Sequence, residues 1–181
     1  MIFLLGTSHS LQTESADAGP FLKAKRGRFR AHVEETVRSN NVAGIAEETN
    51  SELEARDGKS IARLVAEEMR PPLDYIACEP SSEERRALGI PTSDEINMNA
   101  LRATGRDAEL QKYFPVREKF WIDRLREQPL DSILFVCGAN HVRTFCGRLT
   151  EQGFPCRILC FDWEAADDQE HGAIPLEERL I

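Results

Sequence analysis

The chain has 181 residues, 41% of them hydrophobic and 30% charged, with a net charge of −8. That length and composition suit one globular domain with a real core. The acidic balance argues against a duplex nucleic-acid binder, which neutralises phosphates with Lys and Arg. No run approaches the roughly 20 apolar residues of a membrane span, and Ile2 to Leu5 is too short for a secretory leader, so a cytoplasmic protein is expected.

Ile2-Phe3-Leu4-Leu5 is a continuous apolar run, the pattern of a strand covered on both faces. It stops at Gly6, and Ser8 to Pro20 reads as a loop. Phe21 to Asn40 predicts a helix, because Phe29, Val33 and Val37 recur every four residues. Lys23, Lys25, Arg26, Arg28 and Arg30 crowd its start, as a solvated face or an anion-attracting rim. Val42 to Ala46 predicts a second strand, ending in Glu47-Glu48, and 49–59 reads as a polar loop. Ser60 to Met69 predicts a helix stopped by Pro71-Pro72. Leu73 to Cys78 predicts a third strand, ending in Glu79-Pro80.

A less regular helical insertion follows, over about 81–115. Thr92 or Ser93 can cap a helix there. A further helix runs from Pro115 to about Arg126, with Arg117, Phe120, Trp121, Arg124 and Leu125 on its inward side. Ile133 to Cys137 is a fourth apolar strand, closed by Gly138-Ala139-Asn140-His141. Val142 to Gln152 predicts a helix, Arg157 to Asp162 a fifth strand, and about 163–181 a weakly patterned acidic tail. Strands alternating with helices indicate one three-layer α/β domain, a mostly parallel sheet of about five strands with helices on both faces.

The five cysteines form no Cys-x-x-Cys pair, so buried free thiols fit better than disulfides or a thiolate zinc site. Cys137, in an apolar strand, reads as core rather than nucleophile.

In open α/β sheets ligands collect beyond the carboxyl ends of the strands. Four predicted strands deliver a polar group there: His9, Glu47-Glu48, Glu79 and His141. Two of only four histidines share this place, each three residues after a strand-ending glycine. Side chains alternate along a strand, so one of Glu47 and Glu48 must turn away. The set His9, Glu48, Glu79 and His141 can hold a divalent metal, with Mn, Co, Zn and Fe undistinguished. The same groups can act without metal, as a Glu-activated histidine or water. Arg117 is either a structural partner of these carboxylates or an anion clamp. Thr7, Ser8 and Asn140 are further donors on the two turns.

These residues resemble the TraB, Tiki, ChaN and erythromycin-esterase superfamily: Gly6-Thr7-Ser8-His9 after a first strand, glutamates ending the next, an arginine-bearing helix, then Gly138-Ala139-Asn140-His141. The resemblance implies a hydrolase-like α/β scaffold. It implies metal-dependent peptidase activity in Tiki-type members, ester hydrolysis in erythromycin-esterase-like members and haem-iron binding in ChaN-like ones. His9 and His141 match the motif histidines, Glu47 or Glu48 the glutamate, and Arg117 an arginine before the last motif. The chain departs from the erythromycin-esterase pattern at Thr7, where that pattern has Glu. The expected activity is hydrolysis of a small-molecule or peptide substrate by His9, Glu47, Glu48, His141 and Arg117. The alternative is a non-catalytic module that binds an anionic ligand or a protein in the same pocket, with Arg117 and the Lys23 to Arg30 cluster supplying affinity.

Overall fold

Five parallel strands build one sheet: β1 (Ile2–Thr7), β2 (Gly44–Glu47), β3 (Asp74–Ala77), β4 (Ile133–Gly138) and β5 (Cys156–Cys160), in spatial order β3-β2-β4-β1-β5. The computed structural model describes residues 1–13, 18–92, 95–96, 98 and 106–171, without the side chains of 106 and 107. The proposed cap at Ser93, part of the 81–115 segment and the end of the acidic tail lie outside these residues.

Nine helices are described: α1 (His9–Gln12), α2 (Pro20–Ser39), α3 (Ser51–Asp57), α4 (Ile61–Glu68), α5 (Ser82–Ala87), α6 (Arg106–Gln111), α7 (Phe114–Arg126), α8 (Val142–Glu151) and α9 (Trp163–His171). None of the described helices is long and apolar enough to cross a membrane.

The sheet is buried on both faces because successive side chains point opposite ways. Phe3, Leu5, Ile45, Leu134 and Val136 pack with Leu22, Phe29, Val33 and Val37 of α2 and with Ile61 and Val65 of α4. Ile2, Leu4, Ala46, Phe135 and Cys137 pack with Trp121, Ile122 and Leu125 of α7 and with Val142, Phe145 and Leu149 of α8. On that second face Trp121, Phe135 and Phe145 form a ring cluster with centroids 4.7–5.4 Å apart. Such pairs contribute about 1 kcal/mol each beyond their buried area. The three-layer α/β architecture expected from the sequence is the one observed.

Strand order decides where a site can form. The chain leaves β1 toward the first face, into α1 and α2. It leaves β4 toward the second face, into α8. Because β1 and β4 are neighbours, a crevice opens between their carboxyl ends, at the topological switch point.

Three stretches differ from expectation, the first being Ser8 to Pro20, read as a loop but containing α1. The polar segment 49–59 contains α3, which starts where Asn50 Oδ1 accepts the Leu53 N–H at 2.9 Å. The acidic tail contributes α9, and its charges lie against the basic start of α2. Lys25, with no exposed side-chain surface, pairs with Asp168 and, at 3.5 Å, with Glu164. Arg28 meets Asp167 at 2.7 Å. This part of the basic cluster is neither a solvated face nor an open anion rim; its charge is neutralised by the tail.

Candidate functional site

Both motif glycines sit at close approaches, far tighter at Gly6 than at Gly138. A Cβ on Gly6 would collide with the Phe161 carbonyl, just past the end of neighbouring β5, and lie 2.5 Å from Val142 Cγ2. A Cβ on Gly138 would lie 3.3 Å from both Glu48 Oε2 and His9 Nε2. The first glycine lets β5 and α8 close on β1. The second makes room for the site itself. The crevice beyond them is a cavity of about 680 Å³, lined by His9, Glu48, Glu79, Arg117, Gly138 and His141, with Leu53, Leu110 and Phe114 on its apolar side.

His141 is buried, its ring centroid 3.7 Å from that of Phe114 and 4.8 Å from that of Trp121. Its two nitrogens have different partners. Nδ1 lies 2.9 Å from Glu118 Oε1, and Nε2 lies 3.1 Å from Arg117 Nη1. A guanidinium only donates and a carboxylate accepts. His141 is therefore neutral, with its proton on Nδ1 and its lone pair turned toward Arg117. Glu118 has no exposed surface; it also accepts from Thr144 Oγ1 at 2.5 Å and from Arg148 Nε at 2.8 Å. It orients the imidazole from behind, as carboxylates do for functional histidines.

Arg117 is the hub. It donates to Glu79 from Nε (3.1 and 3.2 Å) and Nη2 (2.8 Å), to Glu48 from Nη2, and to His141 from Nη1. A guanidinium has five N–H groups, so one Nη1–H has no acceptor among the described residues, and Arg117 lines the cavity. Glu79 is filled: Arg85 Nη1 reaches it at 2.8 Å and Trp121 Nε1 at 3.1 Å besides Arg117. Glu48 Oε2 accepts the Gly138 N–H at 2.7 Å. Burial works against the charge of Glu48, but the Arg117 guanidinium above all, and this N–H, outweigh it, and the carboxyl is held at about 2. The carboxylates Glu48, Glu79 and Glu118 are matched by the guanidiniums of Arg85, Arg117 and Arg148, so the buried cluster needs no charged histidine.

His9 differs from its counterpart. Its side chain is 65% exposed, and Nε2 faces Glu48 Oε1 at 3.7 Å, while His141 Nε2 stands 3.6 Å from the same oxygen. Nδ1 lies 2.8 Å from Gln12 Oε1.

Glu48 is thus the glutamate that enters the cavity. Glu47 points to the opposite face, where Tyr75 Oη donates to its Oε2 at 2.7 Å. Burial pushes its carboxyl up to about 7, against the hydroxyls of Ser60 and Tyr75. The structure brings together His9, Glu48, Glu79, Arg117 and His141, and places Glu47 behind them. Cys137 is fully buried and its thiol is pushed far above the usual range.

Among the described residues no group of three or more His, Cys, Asp or Glu side chains is arranged to hold a metal ion. The reason is visible in the donors. Arg117 already claims His141 Nε2 and Glu48 Oε1, Gly138 claims Glu48 Oε2, and Glu79 is saturated. A divalent cation would have to displace a guanidinium from this cluster, so the set as arranged does not fit the metal that the Tiki resemblance implies.

Sequence reasoning missed Glu118 and Gln12. The signal for Glu118 was present: the buried stripe of α7 is Phe114, Glu118, Trp121, Ile122 and Leu125, and a carboxylate in an apolar stripe needs a buried partner. Gln12 carries no such signal. No family model, curated protein or solved structure matches the chain.

Proposed function

We propose that the chain is a metal-independent hydrolase of the TraB, Tiki and erythromycin-esterase type, cleaving an ester or amide in a small-molecule or peptide substrate. The observation that carries this reading is the position of His9 Nε2, which opens on the cavity within 3.7 Å of a buried carboxylate, beside Arg117 with its one N–H to spare.

In this mechanism His9 Nε2 takes a proton from water as the water oxygen attacks the carbonyl carbon. The carbonyl π pair moves to oxygen, and the oxyanion accepts a hydrogen bond from the spare Nη1–H of Arg117. Glu48 stabilises the His9 imidazolium. The tetrahedral intermediate then collapses, and His9 returns its proton to the departing alcohol or amine. His141, oriented by Glu118, fixes Arg117 by accepting its other Nη1–H.

The test is a screen of nitrophenyl esters and short peptides with wild type and His9→Ala. The expected result is hydrolysis that resists chelator and falls about 10²- to 10⁴-fold in the variant, with the unfolding midpoint unchanged. Turnover that survives His9→Ala, or tight ligand binding without any turnover, would overturn the reading, the latter in favour of a binding module.

A further inference from the structure

The two ends of the cavity are chemically unlike. One wall is apolar, made by Leu53 of α3, Leu110 of α6 and Phe114 of α7. Asp162 lines the other end. Leu53 sits on the helix that follows β2, whereas Asp162 follows β5. The strand order puts β4 and β1 between them, and so also the turns that carry His141 and His9.

Charge is balanced along this cavity except at Asp162. Among the described residues its lining carries four carboxylates, Glu48, Asp57, Glu79 and Asp162, against three guanidiniums, Arg56, Arg85 and Arg117. Arg56 holds Asp57 at 2.7 Å, and Arg85 and Arg117 hold Glu79 and Glu48. Asp162 has no cation within ion-pair distance among the described residues. Its Oδ1 accepts the Ala165 N–H at 3.2 Å where α9 begins, and its Oδ2 accepts from none of them. Arg143, four residues into the motif helix, is turned instead to the Phe161 ring, 4.5 Å from its centroid. Capping a helix takes one side-chain oxygen, and a neutral Ser or Asn serves as well as Asp. The cap therefore leaves the charge and the second oxygen of Asp162 unused. A half-buried carboxylate with a free oxygen is an acceptor for a charged N–H donor. The chain's net charge of −8 draws cations rather than anions toward it.

We propose that the cavity takes a cationic amphiphile: an ester or amide with a primary ammonium group on one side of its carbonyl, received by Asp162, and an apolar group on the other, received by Leu53, Leu110 and Phe114. That the ligand is cleaved rests on the hydrolase reading. With His9 on the strand turn between the two ends, a molecule held at both presents its carbonyl in the middle of the cavity. Asp162 is then a specificity residue, and the apolar wall sets the length of the partner group.

The experiment titrates three probes of one shape, phenylbutylamine, phenylbutanol and phenylbutyrate, into full-length protein by calorimetry, for wild type, Asp162→Asn, Asp162→Ser and Leu53→Ser. Asn and Ser keep a cap on α9 and remove only the charge, so the unfolding midpoint is expected to hold in both. Wild type is expected to bind the amine about tenfold more tightly than the alcohol, with the advantage shrinking as salt rises, and the carboxylate most weakly. Both Asp162 variants are expected to bind amine and alcohol alike, and Leu53→Ser to weaken the two together. Equal affinity of wild type for amine and alcohol, an amine preference that survives in both Asp162 variants, affinities untouched by Leu53→Ser, or no binding of any probe would overturn the inference. A preference for the carboxylate would overturn it in favour of an anion-binding pocket. The titrations need no turnover. Amine-selective binding by a chain that hydrolyses nothing would keep the ligand class and sink the hydrolase reading; hydrolysis of neutral esters without amine selectivity would do the reverse.

Discussion

The two Gly-x-x-His turns have the same spacing on adjacent parallel strands, yet they are built for opposite purposes. His141 is buried, wedged between Phe114 and Trp121, and locked by a carboxylate with no exposure. His9 is mostly exposed and held by a neutral amide. The difference follows from the chain's path after each turn. After β4 it enters a ten-residue helix whose first turn packs on the sheet, while after β1 it makes a four-residue helix at the cavity rim. One turn supplies a fixed scaffold, and the other a group open to the cavity.

The contrast is broken most sharply at the partners of the two rings. Glu118→Ala leaves His141, Thr144 and Arg148 without their shared acceptor and is expected to cost about 3–5 kcal/mol, read from urea midpoints. Gln12→Leu removes a side chain whose Nε2 has no partner among the described residues and is expected to shift stability by about 1 kcal/mol or less. Equal losses would mean that the two turns are structurally equivalent.

The glycines sharpen the same comparison. Gly6→Ala drives a methyl group into backbone and is expected to destabilise by about 3 kcal/mol. Gly138→Ala meets only the ends of His9 and Glu48 at 3.3 Å. A fall in hydrolysis exceeding any fall in stability is expected, as a comparison of initial rates with unfolding curves will show.

Effects of pH differ in sign for neighbouring residues. Glu48 sits at about 2 in the folded chain, below the ordinary 4.5, so its stabilisation is present above the unfolded value and lost as pH falls through about 2. Glu47 sits at about 7, above 4.5, so its contribution is present below the unfolded value and lost as pH rises through about 7. Stability measured against pH should lose its decline between about 4.5 and 7 in Glu47→Gln while keeping its acid limb.

Much of this was legible in the residues. Continuous apolar runs marked the strands, because a parallel sheet buried on both faces has no polar side to show. The pleat required that Glu47 and Glu48 diverge, but not which one entered the site. That choice depended on the face of β2 opposite Arg117. Arg117 was legible as inward, whereas Glu118 beside it was hidden because its justification lies at His141, far along the chain. The basic start of α2 was legible as charge, and its neutralisation by α9 was not, since nothing local pairs residue 25 with residue 168.

By itself the sequence determined the alternation of strands and helices, the two glycine-histidine turns and the inward arginine, because periodicity and turn chemistry are local. Only the tertiary structure decided that β4 inserts between β1 and β2, which brings both histidines to one carboxylate. It alone decided that Arg117 donates to Glu48, Glu79 and His141 together, and that burial and charge shift two adjacent glutamates in opposite directions. Those outcomes depend on burial and on charges brought together through space, which no local pattern encodes.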